Sequence, residues 1–250
     1  MADAPVRIIG SFLSPYVRKV LVCLELKGIR YEVDPIVPFY GNDEFTRLSP
    51  LRRIPVLIDD AVTLSDSTVI CEYLEERWPA APILPRGPAA RARARWLEEY
   101  ADTRMGDALI WHFYAQLIVR KFVWGEAPDE AVVRKAREEE IPAVLDYLEG
   151  ELPERGFLFG EPGVADIAIA SFFRNAAYAR YAIDAARWPK AAAFVARTLA
   201  LPGFEKLRRY EEATVGTPAA ERRARLTAIG APLTATTLAD AAPRRGPMTV

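Results

Sequence analysis

The sequence predicts a small α/β domain followed by an all-helical domain. Short β-branched runs bounded by turn residues, which indicate strands, occur only in the first third of the chain. Long stretches with apolar residues at helical spacing fill most of the remainder. A proline-rich run over residues 78–88 separates the two patterns, and neither a helix nor a central strand tolerates such a run. We therefore expect a domain linker there.

The first domain is expected to run β-α-β-α and then β-β-α. Gly10 and Gly28 mark the ends of the first strand and the first helix. The predicted elements are strands over 6–9 and 31–37, a helix between the two glycines, a short helix near 43–48, a hairpin over 55–64 and a helix over about 66–77.

The second domain carries helical patterns only. They cover 89–122, 129–149, 164–181, 188–199 and 203–212. From Thr214 onward the chain has no aromatic residue and several prolines, so we expect an appended tail, with one short helix near 221–229 that packs back onto the body. The predicted divisions are residues 1–84, 85–213 and 214–250.

Composition excludes several classes of function. Of the 250 residues, 51% are hydrophobic and 27% charged, a globular mixture that argues against disorder and fibrous repeats. The net charge of −1 provides no field that would attract nucleic acid or acidic lipid. The start of the chain lacks a basic segment followed by an apolar one, and no apolar run is long enough to span a membrane. We expect a cytoplasmic protein with neither partner.

Cysteine and histidine are too few for most metal and redox sites. Cys23 and Cys71 are far apart in the sequence and form no CxxC pair, which argues against a disulfide framework, a structural zinc and a dithiol motif. His112 is the single histidine, so a HExxH helix and a histidine metal triad are excluded. We expect no metal, and we interpret both cysteines as small core residues.

Three element starts carry short polar residues or proline. Ser14 precedes Pro15 and is predicted to cap the first helix. Pro55 stands at the first residue of a strand, where a cis bond is feasible. Asp66 and Ser67 open a helix whose free N–H groups can bind a carboxylate. Each feature alone is ordinary capping or strand initiation, whereas the three together are much less expected by chance.

At these positions the sequence resembles cytosolic glutathione transferases. Residues 14–20, 52–57 and 66–70 match the family patterns S-P-x-x-R/K-x-V, x-x-I-P-V-L and E/D-S-x-x-I in this order. Residues 156–168 resemble the second signature of the family, a loop and capping box ahead of the core helix of its helical domain. The similarity covers about residues 6–212, and it implies a thioredoxin-like fold for the first domain, a helical-bundle second domain and a homodimer.

The resemblance also implies roles for individual residues. Arg53 matches the position that meets the glycyl end of glutathione, and the Ile54 backbone, ahead of a cis Pro55, matches the one that pairs with the cysteinyl unit. Asp66 and Ser67 match the pair that holds the γ-glutamyl end. Glutathione is therefore the expected co-substrate.

Ser14 matches the catalytic serine of the Ser-type classes, and Ser11 is a second candidate nearby. A free thiol has a pKa near 8.5, whereas the nucleophile is the thiolate, so the site must favour ionisation. A hydroxyl donor and a helix N-terminus need to supply roughly 2 to 3 kcal/mol to lower this pKa by about two units. No general base is needed, because glutathione supplies the nucleophile.

The sequence departs from the family at Gly163, where a Ser or Thr cap is usual, although Asp166 is present. We expect part of the capping to be missing, with a consequence for folding of that helix rather than for catalysis. Met105, Trp111 and Tyr114 are candidates for the apolar walls of an electrophile pocket. His112 lies in the same aromatic run and is interpreted as a packing residue.

Three functions remain open at this point. The first is a Ser-type transferase that conjugates the glutathione thiolate to a small apolar electrophile. The second keeps glutathione but performs isomerisation, dehalogenation, ether cleavage or peroxide reduction. The third is a non-catalytic scaffold of the same fold that binds a protein partner, although a scaffold does not need a complete set of glutathione-binding residues.

Overall fold

A mixed four-stranded sheet forms the framework of the N-terminal part of the chain. In the computed structural model, which describes residues 4–246, the strands have the order β2-β1-β3-β4. They are β1 Val6–Ile9, β2 Tyr31–Asp34, β3 Val56–Ile58 and β4 Thr63–Ser65. Strand β1 pairs parallel with β2 and antiparallel with β3, and β4 pairs antiparallel with β3. This mixed sheet confirms the predicted α/β class.

Three helices accompany the sheet. They are α1 Pro15–Lys27, α2 Asp43–Leu48 and α3 Ser67–Arg77. The predicted apolar face of α1 is fully buried at Val17, Val20, Leu21 and Leu24. Gly28 ends α1 in the left-handed region at φ 66°, a conformation in which glycine has no side-chain penalty.

Strand β2 is shorter than predicted. The sequence indicates a strand over 31–37, but pairing ends at Asp34. Pro35 follows and has no N–H to donate to a ladder, so alternating hydrophobicity beyond it does not extend the strand. The chain instead continues to a 3₁₀ turn at Pro38–Tyr40 before α2 begins.

Helices are the only regular elements within the described residues of the second unit, 83–204, apart from isolated bridges near residues 157–161. Its elements are α4 Pro88–Tyr100, a π-helical continuation at Ala101–Trp124, α5 Glu130–Lys135, a π-helical turn at Ala136–Glu140, α6 Ile141–Glu151, α7 Val164–Tyr178 and α8 Pro189–Leu199. Helix α7 is buried along nearly its whole length and packs against α4, α8 and the π-helical continuation. No helix within residues 4–246 has the length and apolarity to cross a bilayer.

The C-terminal residues return to the sheet. Among the described residues, 4–82 together with 205–246 form one compact unit, and 83–204 form the other. Helix α9 Pro202–Thr214 therefore ends in the first unit, and α10 Ala219–Ala228 confirms the short helix predicted near 221–229. Residues 214–246, expected as an appended tail, are part of the fold of the first unit.

Candidate functional site

Ser14 lies at the N-terminus of α1 and caps it. Its Oγ accepts a hydrogen bond from the Val17 amide at 3.3 Å, as predicted for a cap. The side chain is partly exposed, and its hydroxyl proton has no acceptor among residues 4–246. Because the aligned peptide dipoles of a helix place partial positive charge at its N-terminus, an anion next to this hydroxyl is stabilised by both the dipole and the hydroxyl.

Ser11 occupies a different environment. Its Oγ accepts from the Leu13 amide at 3.2 Å, its carbonyl accepts from the Ser14 amide at 3.0 Å, and the residue is only 6% exposed. Ser11 therefore holds the turn between β1 and α1 together. Of the two candidate serines, Ser14 has the accessible hydroxyl and the position at the helix end.

Gly10 allows this turn to pack closely. Its φ is 150°, and a Cβ atom there would lie 2.4 Å from Cγ2 of Val17 and 3.1 Å from Cβ of Ile54. No side chain fits between those atoms without displacing them. The sequence shows Gly10 only as a strand end, because the contact with Ile54 joins residues distant in the chain.

The sheet register brings three of the predicted segments together at one end of strands β1, β3 and β4. Ile9, the last residue of β1, pairs with Val56, which in turn pairs with Ser65 at the end of β4. The next residues outward are therefore the turn before Ser14, the Ile54–Pro55 bond and the Asp66–Ser67 pair. The seven residues that the resemblance assigns to catalysis and glutathione binding all belong to the first unit.

The Ile54–Pro55 peptide bond is cis, as the resemblance implies. Ile54 lies just before β3, and its backbone makes no hydrogen bond with another residue of the described chain. A peptide ligand laid along this segment can therefore exchange backbone hydrogen bonds with Ile54, as one strand does with the next.

Arg53 and Arg52 have opposite environments. The Arg52 guanidinium donates to the carbonyls of Pro38 at 3.2 Å and Gly41 at 2.8 Å and to the hydroxyl of Thr46. The exposed Arg53 guanidinium forms no hydrogen bond or ion pair with residues 4–246. Only Arg53 of the two is available to bind a carboxylate from solution.

Ser49 fixes the backbone of Arg53, and the sequence did not reveal it. The fully buried Ser49 hydroxyl donates to the Arg53 carbonyl at 2.8 Å and accepts from the Arg53 amide at 3.0 Å. A serine before a proline looks like an ordinary loop residue, and its spacing of four from Arg53 is the one signal the sequence offers.

Asp66 caps α3 from an uncommon backbone conformation. Its φ is 96°, a region that non-glycine residues seldom occupy, and its Oδ1 accepts from the Thr68 amide at 2.9 Å and the Val69 amide at 3.2 Å. The neighbouring Ser67 is 4% exposed, and neither its amide nor its hydroxyl is paired within residues 4–246. Unpaired donors beside a carboxylate suit a group that carries both an ammonium and a carboxylate.

The candidate pocket residues lie in the helical unit. Met105 is fully buried, Tyr114 is 7% exposed and Trp111 is partly exposed, so Trp111 has the most surface to offer a ligand. His112 pairs through Nδ1 with Glu140 at 2.7 Å, an interaction within this unit. The interpretation of these three as pocket walls stays a prediction.

Both cysteines are buried core residues, as predicted. Cys23 on α1 and Cys71 on α3 are free thiols whose sulfurs are 3.9 Å apart. No group of three or more metal-ligating side chains occurs within residues 4–246.

The start of α7 shows how the chain tolerates Gly163. Asp166 accepts from the amides of Gly163 and Leu158, both at 2.9 Å, and the Val164 amide donates to the Ile83 carbonyl at 2.9 Å. A Cβ on Gly163 would lie 2.7 Å from that carbonyl oxygen. The side-chain cap is absent, as expected, but the Ile83 carbonyl occupies its place and satisfies one helix amide.

Family models and relatives agree with this structure. The glutathione S-transferase N-terminal domain matches residues 13–77, and the C-terminal domain matches residues 130–197. Glutathione S-transferase U8 of Arabidopsis thaliana is 35% identical over 170 residues, which are 65% of this chain and 68% of that protein.

Solved structures agree as well. A glutathione S-transferase from Rhodospirillum rubrum F11 has a TM-score of 0.74 at 28% identity, covering 81% of this chain and 91% of its own. One from Methylobacterium radiotolerans JCM 2831, solved with glutathione sulfonate, has a TM-score of 0.67 at 27% identity, covering 81% and 94%. The sequence motifs, the cis proline and these relatives lead to one conclusion: the chain belongs to the glutathione S-transferase family.

Proposed function

We propose that the protein conjugates glutathione to a small apolar electrophile and that Ser14 activates the thiol. Glutathione conjugation is the activity of the family to which the chain belongs. The assignment to Ser14 rests on one observation. Its Oγ already accepts a hydrogen bond from the Val17 amide at the N-terminus of α1, while its O–H has no acceptor within residues 4–246 and is open to a ligand.

The chemistry follows from that arrangement. The Ser14 hydroxyl donates to the sulfur of bound glutathione, which stabilises the thiolate and releases the thiol proton to solvent. The thiolate sulfur then forms a bond to an electrophilic carbon. In a substitution the leaving group on that carbon departs with its bonding electrons. In an addition the π electrons of the carbon's double bond move to the neighbouring atom, which takes a proton from solvent. Ser14 keeps its proton throughout, so no histidine has to act as a base.

The glutathione backbone would be held by the other segments at the same end of strands β1, β3 and β4. Arg53 supplies an unpaired guanidinium for the glycyl carboxylate, and the Ile54 backbone pairs with the cysteinyl unit. Asp66 and Ser67 supply the carboxylate and the donors for the γ-glutamyl end. The homodimer, the cytoplasmic location and the apolar walls formed by Met105, Trp111 and Tyr114 belong to the same proposal. Sedimentation of the purified protein tests the dimer.

Substitution of Ser14 tests the mechanism. At pH 7 a thiol pKa raised by about one to two units lowers the thiolate fraction by about 3-fold to about 20-fold. The N-terminus of α1 keeps its share of the stabilisation in Ser14→Ala, so kcat/KM should decrease by a factor within that range. The pH–rate profile of this variant should move to higher pH, and at pH 7 the Kd for glutathione should rise by no more than about four-fold, because only the bound thiolate loses its donor. Ser14→Thr keeps both the hydroxyl and the cap and should recover most of the activity.

Ser11→Ala is the matched comparison, because it removes a hydroxyl from the same turn. It should leave the pH–rate profile in place. If Ser14→Ala has the wild-type pH–rate profile and the profile of Ser11→Ala moves to higher pH, Ser11 is the residue that activates the thiol. Failure of the wild-type protein to bind millimolar glutathione in calorimetry would remove the transferase proposal and favour the scaffold.

A further inference from the structure

The C-terminal segment 231–246, which we name the C-terminal strap, pairs with the outer edge of strand β2. The Val33 amide donates to the Pro232 carbonyl at 2.7 Å, and the Thr234 amide donates to the Val33 carbonyl at 3.1 Å. Because β2 is an edge strand, these bonds cover backbone groups that would otherwise face solvent. The strap thus begins as a parallel addition to the sheet.

Asp34 fixes the strap at the end of β2. This carboxylate is only 2% exposed, accepts from the Thr237 hydroxyl and the Leu238 amide, both at 2.7 Å, and lies 3.5 Å from the Arg223 guanidinium. A buried carboxylate without such donors is costly. The strap is therefore held in one register, since a shifted strap would leave Asp34 without them.

Beyond Asp34 the strap binds the backbone between β2 and α2. Three further bonds link it to this stretch, which we call the 38–42 turn. They run from the Asn42 amide to the Leu238 carbonyl at 2.9 Å, from the Asp240 amide to the Tyr40 carbonyl at 2.5 Å, and from the Arg244 amide to the Phe39 carbonyl at 2.8 Å. The Arg244 side chain adds an ion pair with Asp43 at 2.6 Å.

The same turn holds Arg52 from the other direction. The Arg52 guanidinium binds the carbonyls of Pro38 and Gly41, and its chain neighbour is Arg53. The backbone of the turn thus connects the strap on one side to the arginine next to the predicted glycyl-binding residue on the other.

A second connection runs through the core. Leu238 packs against a buried cluster that also contacts Ile54. The buried members of that cluster are Ile9, Ile36, Phe45 and Val56. Packing in a dense core passes displacements from one member to its neighbours, so Leu238 supports the segment whose backbone faces the ligand.

We propose that the C-terminal strap positions Arg53 and Ile54, with Leu238 as its main positioning residue, and thereby sets the affinity for glutathione. The inference rests on the proposed function. This role differs from general stabilisation of the fold. Loss of the strap contact should weaken glutathione binding, while the reaction of bound glutathione with the electrophile stays unchanged.

A pair of leucine variants in the full-length chain tests the proposal. Leu238→Ala should raise the Kd for glutathione about five-fold in calorimetry. Its kcat and KM for chlorodinitrobenzene at saturating glutathione should stay within about twofold of wild type. Leu233→Ala is the control, because it truncates a half-buried leucine of the same strap outside that cluster, and its Kd should match the wild type.

A double-mutant cycle with Arg53→Ala separates positioning from stability. Because the strap is proposed to position both Arg53 and Ile54, the effect of Leu238→Ala on the Kd should become smaller in the Arg53→Ala background without disappearing. Two fully additive effects would restrict the role of the strap to Ile54 or to general stability and would overturn its link to Arg53.

The outcomes separate this inference from the proposed function. If wild type binds no glutathione, the proposed function fails first. If wild type binds it and folded Leu238→Ala binds equally well, the strap proposal is wrong while the function stands. Should Leu238→Ala not fold, Thr237→Val removes the hydroxyl bond to Asp34, with Thr227→Val on α10 as its control. An equal Kd for those two variants would also overturn the proposal.

Discussion

The buried hydroxyl of Ser49 shows how one side chain can place a binding residue. It donates to the carbonyl and accepts from the amide of Arg53, as a neighbouring strand would. The segment before cis Pro55 has no strand partner here, so Ser49 supplies the missing backbone partner. The position of the unpaired Arg53 guanidinium, just before β3, depends on this support.

Ser49→Ala should therefore weaken glutathione binding about five-fold, because it leaves two backbone groups of Arg53 unpaired. Calorimetric titration with glutathione measures the change. Thr198→Val is the control, since it removes a buried hydroxyl in the helical unit that donates to Phe194 at 2.9 Å. Equal affinity in the two folded variants would contradict a role for Ser49 in placing Arg53.

The sequence predicts the role of a residue where that role depends on its neighbours in the chain. The Ser14 cap follows from a serine before a proline, and the choice of Arg53 over Arg52 comes from the family pattern. The roles of Gly10 and Ser49 depend on contacts with Ile54 and with the Arg53 backbone, which no local pattern encodes.

Among the elements, helix α7 is the one whose start departs from the family pattern. The Ile83 carbonyl accepts from the Val164 amide at the first position of the helix, and Asp166 satisfies the amides of Leu158 and Gly163 while fully buried. Burial raises the pKa of Asp166 to about 6, although the hydrogen bonds from Leu158 and Gly163 oppose the shift.

The raised pKa of Asp166 predicts a pH-dependent stability. The folded state binds this proton more tightly than the unfolded chain, whose aspartate has a pKa near 3.9. The contribution of Asp166 to the free energy of unfolding is therefore largest below about pH 4 and falls as the pH rises to about 6. Urea unfolding should show that the stability advantage of wild type over Asp166→Asn shrinks across this interval. A constant difference would contradict it.

The element boundaries show where periodicity stops being informative. The predicted helix over 129–149 is continuous over 130–151 as α5, a π-helical turn and α6, with Pro142 in the first turn of α6, where its missing N–H is tolerated. Strand β2 ends at Asp34, because Pro35, the next residue, has no N–H to donate to the ladder. Apolar spacing predicts which face is buried, whereas the hydrogen-bonding capacity of single residues decides where an element ends.

For the molecule as a whole, an ion pair in the first unit joins early and late parts of the chain. Arg18 on α1 and Glu211 on α9 are both fully buried, and Nε lies 2.5 Å from Oε1. The Phe12 and Tyr210 rings pack beside it with centroids 5.1 Å apart. The sequence assigns Glu211 to the helical domain 85–213, whereas the structure places it in the first unit, because its partner Arg18 lies 193 positions away and no local pattern reveals the pair.

Glu211→Ala should lower the free energy of unfolding by about 3 to 5 kcal/mol, because it leaves the buried Arg18 charge without its carboxylate. Urea denaturation measures this change. Lys206→Ala is the control, since it breaks the half-exposed pair with Glu25 between the same two helices and should cost less than about 1 kcal/mol. Equal losses would show that burial of the Arg18 pair is not the deciding factor.

Because the first unit includes residues 205–246, it cannot be completed on the ribosome until those residues have emerged. The edge of β2 and the carboxylate of Asp34 must await the strap while the helical unit is being synthesised. During that interval the nascent chain exposes an unpaired strand edge, which is a common starting point for aggregation. Chaperone demand and the yield of folded protein should therefore depend on residues 205–246, which lie far along the chain from Ser14.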